Sequence, residues 1–298
     1  MDSIDALRLN FSQDSLLVLN LCLAIIMFGI ALDINTHDFK LILKNPKSAI
    51  VGIIAQFFAL PLLTYLLILV LKPQASIALG MILVAACPGG NISNFMTHLS
   101  KGNTALSVGL TSLNTVISLV MTPLNFQLYG NLNESTRGLL NEIHLDFWDL
   151  SKTVITIILI PLALGLLSRK WKPNLSQRFS PIFRVASILI FIAFVVIAFS
   201  KNLDIFLEYI KYVILLVLIH NAVAFFTGYG IASLAKLDSR DRRSLTIETG
   251  IQNSGLGLVL IFAFFDGIGG MALVAAWWGI WHIISGLSLA GFWSKRPL

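Results

Sequence analysis

Glu248 is the residue hardest to place without a function, because it lies well inside the apolar stretch 242–265. A carboxylate at bilayer depth is costly and by default marks the path of an ion, a proton or a substrate. The plain alternative is a structural pair with a basic neighbour, yet no Lys or Arg lies deep in any apolar stretch to neutralise it. Its own segment reads Glu248-Thr249-Gly250-Ile251-Gln252-Asn253-Ser254-Gly255-Leu256-Gly257. A second unusual run is Cys87-Pro88-Gly89-Gly90-Asn91-Ile92-Ser93-Asn94. Pro88 lacks a backbone donor and disfavours helix at residue 87. Gly89 and Gly90 permit unwinding, and Asn91 suits the N-cap of a restarted half-helix. The three glycines and polar run around Glu248 predict a similar interruption. Aligning Ser93 with Ser254 also aligns Gly89 with Gly250 and sets Asn91 opposite Gln252. Each run is preceded by an apolar helix with a buried amide, Gln56 in one case and Asn221 in the other.

The chemistry available at such breaks is electrostatic. Restarted half-helices present N–H groups and positive dipole ends, which suit an anion. Unwound carbonyls and side-chain oxygens suit a small hard cation. Paired Gly/Pro-interrupted segments in two halves of a chain point to a transporter site. The plain reading is that the glycines only allow close helix packing, but it leaves the clustered amides and Glu248 unexplained. Ser107, Thr111, Asn114/Thr115 and Ser118 add a polar stripe on one helical face. Lone Ser or Thr residues often bond back to their own helix; a stripe of five beside a break better fits the lining of an ion site.

The elements that position these residues follow from composition. The 298 residues are 56% hydrophobic and 12% charged, with mean hydropathy +0.84. Soluble domains carry about 25% charged residues, so a soluble enzyme, a disordered chain and a nucleic-acid binder are excluded. A bilayer-crossing helix needs about 20 mostly apolar residues. Nine stretches qualify: 15–33, 47–71, 75–100, 102–129, 148–168, 181–200, 209–235, 242–265 and 269–293. The connections are short except 130–147 and 169–180. Of the 21 Lys and Arg, fifteen fall on one side of these spans (Lys40, Lys44, Lys47, Lys101, Arg169, Lys170, Lys172, Arg178, Arg184, Lys236, Arg240, Arg242, Arg243, Lys295 and Arg296). That side is cytoplasmic by the positive-inside rule, leaving the N-terminus outside and the C-terminus inside. The net charge of +6 is therefore an orientation signal rather than a sign of a polyanionic partner. Asp2 and Asp5 near the N-terminus do not suit a cleaved signal or transit peptide. Cys22 and Cys87 sit in apolar runs without metal-ligand spacing. The expectation is one all-α membrane domain with nine transmembrane helices. The two broken segments run in opposite directions, which makes the halves an inverted repeat.

At these residues the chain resembles the bile acid:sodium symporter family. The strings PGGNISNFMTHLSKGNTALSVGLTS, TIETGIQNSGLGL and WHIISG are similar to its most characteristic segments, and the likeness runs from residue 15 onward. The resemblance implies a sodium-coupled symporter with crossing broken helices, working by alternating access. It implies a core over approximately 47–129 and 209–293, and a panel over approximately 15–33 and 148–200. It further implies two Na+ sites. The first would use Ser93, Asn94, Ser107, Thr111 and Glu248. The second would use Gln56, Glu248 and Gln252 with backbone carbonyls at Thr249 and Ile251. The substrate, an organic anion, would lie near Asn91, Ile92, Asn253, Ser254 and His282. Asn91 stands where several relatives have Thr, and Ile283 where some bacterial relatives have Asn, so the anion's identity stays open between a bile acid and a small acid of the pantoate or pyruvate type. A small carboxylate is favoured, since two opposed half-helix N-termini grip a compact anion directly.

The same residues admit other readings. His98, His220 and His282 also read as hydrogen-bonded core histidines, and Trp277, Trp278 and Trp281 as packing or interface residues. Proton-coupled efflux of the arsenite type would put the proton on Glu248, but it does not need the Ser93-Asn94 and Ser107/Thr111 oxygens. An intramembrane enzyme lacks support: there is no HExxH motif and no carboxylate or Cys–His dyad at obvious spacing. The expected surroundings are a lipid bilayer, in a bacterial inner membrane, with no nucleic acid and no obligate protein partner.

Overall fold

The computed structural model describes residues 4–9, 21, 24, 25, 27–29, 31, 32, 46–143, 147–200 and 202–297. Cys22 and most of the expected first span, 15–33, lie outside the described residues. The described chain is all-α, with two isolated single-residue bridges, Arg8 to Ile268 and Gly89 to Gln252. In chain order the helices are α1 (Pro46–Leu71), α2 (Ala75–Ala86), α3 (Ile92–Leu99), α4 (Thr104–Leu132), α5 (Glu134–Ile143), α6 (Phe147–Trp171), α7 (Pro173–Ser200), α8 (Leu203–Leu234), α9 (Ser239–Gly250), α10 (Ser254–Phe264) and α11 (Gly269–Ser294). Among the described residues four stretches are long and apolar enough to cross a bilayer: Pro46–Leu71, Thr104–Leu132, Phe206–Leu234 and Gly269–Ser294. With apolar side chains such as Val70, Phe226 and Leu234 facing outward, the chain is a multi-pass membrane protein.

The breaks occur where the sequence places them. The expected span 75–100 is divided into α2 and α3, and 242–265 into α9 and α10. The connections differ from expectation. Residues 134–143 in the long connection 130–147 form helix α5, and α7 begins at Pro173 rather than near residue 181. Pro173 suits the first helical turn, where a missing N–H costs nothing.

Proline chemistry also shapes α1. Its middle turn, Ala55–Ala59, is π-helical. Pro61 cannot donate to the Phe57 carbonyl four residues earlier, and its ring crowds that position. The wider turn relieves the clash, and Asn125 Nδ2 of α4 donates to the freed Phe57 carbonyl at 2.9 Å. Single π turns inside α-helices recur at functional sites, and this one contains Gln56.

The two ends of the bundle are tied differently. At one end Asp5 Oδ1 accepts from Ser76 N at 2.8 Å, at the start of α2. Residues 7–9 pair with the loop before α11 through Gly269 N to Leu7 O and Leu9 N to Gly267 O, both 2.9 Å. At the other end Asp241 accepts from Ser48 Oγ at 2.5 Å and from Asn103 Nδ2 at 2.8 Å. There Arg243 donates to Ser100 O and Pro297 O, each at 2.8 Å. The described N-terminal residues and Pro297 therefore lie at opposite ends of α11. Residues 28, 31 and 32 pack on α6 and α7. Arg169 donates to Leu32 O, Gly165 lies against Ala31, and the Phe28 and Phe183 rings meet edge-on at 5.3 Å.

Candidate functional site

The two breaks meet. Gly90 N donates to Ile251 O at 2.7 Å, and Asn253 N donates to Pro88 O at 2.8 Å. The extended segments thus cross antiparallel, at Gly89 and Gln252. The backbones approach closely here, which favours glycine. A Cβ on Gly89 would stand 2.5 Å from Glu248 Oε1, and one on Gly90 would stand 3.1 Å from Gln252 O.

Unwinding leaves helix-end carbonyls without intrahelical donors, and side chains from neighbouring helices supply them. Thr122 Oγ1 donates to Ala86 O at 2.7 Å and Gln56 Nε2 to Cys87 O at 2.9 Å. In the other half Asn221 Nδ2 donates to Gly250 O at 2.8 Å, and Ser285 Oγ donates to Asn221 Oδ1 at 2.6 Å. Gln56 and Asn221, matched in the sequence, thus do the same work on α2 and α9.

Glu248 is 2% exposed. Its Oε2 accepts from Ser93 Oγ at 2.6 Å and lies 3.2 Å from Ser107 Oγ; its Oε1 accepts from Thr111 Oγ1 at 2.8 Å. Asn94 Oδ1 faces the same hydroxyls, 2.8 Å from Ser107 Oγ and 3.2 Å from Thr111 Oγ1. The structure therefore brings together all five residues of the first candidate cation set. Each hydroxyl has one proton; the shortest contacts give that of Ser107 to Asn94 and those of Thr111 and Ser93 to Glu248, which leaves the remaining lone pairs of the cluster without donors. The cluster holds more oxygen lone pairs than donors, which is the chemistry of a cation cage. Thr97 belongs to it as well, with Thr97 Oγ1 3.2 Å from Ser107 Oγ. It was missed because it lies one turn past Ser93 with no sequence feature beyond its spacing.

The second candidate set is assembled in part. Gln56 and Gln252 form a reciprocal amide pair, with Nε2 of each reaching Oε1 of the other at 2.9 and 3.3 Å. Gln252 Nε2 also donates to Thr249 O at 2.6 Å. The Ile251 carbonyl accepts from Gly90 in the crossing. A carbonyl keeps a second lone pair, so these oxygens remain able to face a cation.

Asn91, Ile92, Asn253 and Ser254 flank the crossing, while His282 stands on α11. Asn91 is exposed, Ile92 and Asn253 are half-buried, and Ser254 and His282 are buried. Asn91 does not cap α3. Its φ of −58° and ψ of −24° are helical, and its side chain makes no cap hydrogen bond, because a capping side chain needs an extended backbone at that position. Asn253 is the effective cap, its Oδ1 accepting from Leu256 N at 3.1 Å. Several backbone donors expected to be open to an anion are committed: Gly90 N and Asn253 N to the crossing, and Leu256 N to this cap. Of the histidines, His220 is a hydrogen-bonded core residue, with Nε2 2.8 Å from Thr64 Oγ1 and its ring edge-on to Trp278 at 4.6 Å. His98 is exposed instead.

Residues 20–209 match the model of the Sodium Bile acid symporter family. The chain belongs to that family. Among relatives of this symporter, an uncharacterized sodium-dependent transporter YocS of Bacillus subtilis (strain 168) is 34% identical over 274 residues, covering 92% of this chain and 82% of the relative. The probable sodium/metabolite cotransporter BASS2, chloroplastic, of Oryza sativa subsp. japonica is 29% identical over 276 residues, covering 93% of this chain. The chain spans 64% of that plant protein's length. The P3 protein of Homo sapiens is 26% identical over 255 residues, covering 85% of this chain and 52% of the human protein. As a member of a symporter family, the chain is a membrane transporter and not an enzyme.

Proposed function

We propose that this protein is a sodium-coupled symporter for a small organic anion, with two Na+ ions bound at the crossing and the anion beside it. The observation that carries the reading is the acceptor-rich cage in which the oxygens of Glu248, Asn94, Ser93, Ser107 and Thr111 converge with more lone pairs than protons. A monovalent cation among Ser93, Asn94, Ser107, Thr111 and Glu248 removes that deficit and neutralises the buried carboxylate. A second ion lies against Gln56, Glu248 and Gln252 with the Thr249 and Ile251 carbonyls, after the Gln56–Gln252 pair turns its oxygens inward. The printed names of the B. subtilis and O. sativa relatives, a sodium-dependent transporter and a sodium/metabolite cotransporter, agree with this reading. The anion sits near Asn91, Ile92, Asn253, Ser254 and His282, and a compact carboxylate fits the crowded crossing better than a steroid.

Two Na+ moving with a monoanion carry one net positive charge. A tenfold sodium gradient supplies about 1.4 kcal/mol per ion, and 100 mV supplies about 2.3 kcal/mol per charge. The total of about 5 kcal/mol sustains accumulation on the order of several thousandfold.

The matched duties of Gln56 and Asn221 support an inverted repeat of nine spans. Contacts of Phe28, Ala31 and Leu32 with α6 and α7 support a panel over 15–33 and 148–200 moving against a core over 47–129 and 209–293. The opposite placement of the described termini supports an odd number of spans, and the bias of Lys and Arg to one side puts the N-terminus outside and the C-terminus in the cytoplasm. The test is a thermal-shift screen of small carboxylates and bile acids on the purified protein. A small carboxylate should raise Tm in sodium and not in potassium. Stabilisation independent of sodium, or by protons alone, would overturn the reading in favour of proton-coupled efflux.

A further inference from the structure

Asn114 is 0% exposed, and neither its Oδ1 nor its Nδ2 has a hydrogen-bond partner among the described residues. An unpaired buried amide loses the hydration of both groups without compensation. It stands in the middle of α4, and its neighbours on the same face fix where that face points. Thr111, one turn before, donates to Glu248 Oε1 at 2.8 Å. Thr122 and Asn125, two to three turns after, donate to Ala86 O and to Phe57 O in the π turn of Gln56. At 100° per residue, Asn114 falls within about 80° of all three and about 20° from Asn125. Its amide is therefore bracketed by the Glu248 cage on one side and by the Gln56 turn and the end of α2 on the other. The other hydroxyls of the stripe are spoken for by their own helix, Thr115 Oγ1 donating to Thr111 O and Ser118 Oγ to Thr115 O, both at 2.7 Å.

We propose that Asn114 is a further ligand of the transported alkali-metal ion, its Oδ1 facing the cation between the Glu248 cage and the Gln56–Gln252 pair. This rests on the sodium-coupled reading above. An amide oxygen suits Na+, and the energetic cost of leaving the side chain unpaired in the ion-free state is recovered when the cation binds. The arrangement ties the α4 face to ion occupancy in the same way that Ser107 and Thr111 tie it to Glu248.

The experiment is a thermal melt of purified full-length protein across a NaCl titration, with KCl holding ionic strength constant. Asn114→Leu should melt higher than wild type in sodium-free buffer, because it removes an unsatisfied buried amide, and its half-maximal sodium concentration should rise about tenfold, the loss of one ligand. Asn114→Asp should melt lower without sodium and respond at a lower sodium concentration than wild type, since it places a second negative charge at the ion. Ser112→Ala, on another face of α4 and bonded only to Val108 O, should keep the wild-type midpoint. A sodium midpoint unchanged in both Asn114 variants, while Glu248→Gln shifts it on the order of a hundredfold, would overturn the role of Asn114 and leave the sodium-coupled reading intact. A wild-type protein indifferent to sodium would overturn both.

Discussion

Ser93 Oγ donates to Glu248 Oε2 across 2.6 Å, although the two residues stand on different broken helices. With Thr111 Oγ1 on the other carboxylate oxygen, one acid is held by α3, α4 and α9 together. Moving any of these helices changes the oxygen cage, which is the coupling an alternating-access carrier needs between ion occupancy and helix position.

Glu248→Gln is the simplest test of the cage. The amide keeps the shape of the side chain and accepts from one hydroxyl, but it loses the charge and turns a donor toward the cluster. Removing a buried charge from its partners costs about 3 kcal/mol or more. Sodium affinity should fall on the order of a hundredfold, read as the midpoint of sodium-dependent thermal stabilisation. Retention of the wild-type midpoint would argue that the cation lies elsewhere.

Gly89→Ala should be nearly as damaging, because its Cβ would stand 2.5 Å from Glu248 Oε1. The carboxylate must then leave its hydroxyl partners, at a stability cost of about 1–3 kcal/mol and with loss of the sodium response. Gly291→Ala is the control. Nothing lies within 4 Å of its added Cβ, and replacing a helical glycine should stabilise by about 0.5–1 kcal/mol.

Much of this was legible in the sequence. Pro88, the paired glycines and the lone acid at 248 predicted both breaks, and the spacing of Ser107 and Thr111 placed them on one face. The π turn was missed, although its cause is in the sequence: Pro61 stands four residues after Phe57, and no local rule says whether a kink, a break or a wider turn results. The cap at Asn91 failed because the crossing with Ile251 fixes the backbone there before a side chain can choose. Helices α5 and the start of α7 were hidden because they are polar enough to read as connections. The meeting of Gly90 with Ile251 is a contact between residues 161 positions apart, which no periodicity encodes.

The amide pair Gln56–Gln252 should behave as a unit. Replacing either residue by Leu leaves the other's amide oxygen without its donor, although Gln56 Nε2 keeps Cys87 O and Gln252 Nε2 keeps Thr249 O; loss of Gln56 also strips the Cys87 carbonyl of its partner. Each single variant should lose about 1–3 kcal/mol of stability. The double variant should cost less than the sum, with a coupling of about 0.5–3 kcal/mol in a denaturant or thermal double-mutant cycle. Strict additivity would mean the two amides do not interact in the folded protein.

Asp241 offers the contrast that separates structure from ion binding. It is also buried, at 6% exposure, but it is served by Ser48 and Asn103 and sits in the first turn of α9, where the helix dipole favours a negative charge. Asp241→Ala should lower stability by about 2 kcal/mol while leaving the sodium midpoint within twofold of wild type. A large shift in that midpoint would extend the ion path to the end of the bundle that holds Arg243.

The most direct measurement is flux in proteoliposomes loaded with potassium, comparing uptake of a stabilising small carboxylate under an inward sodium gradient with uptake under an equal potassium gradient. The account predicts uptake only with sodium, accompanied by inward positive current and absent in Glu248→Gln. Equal uptake when potassium replaces sodium, or flux driven by a proton gradient alone, would contradict it.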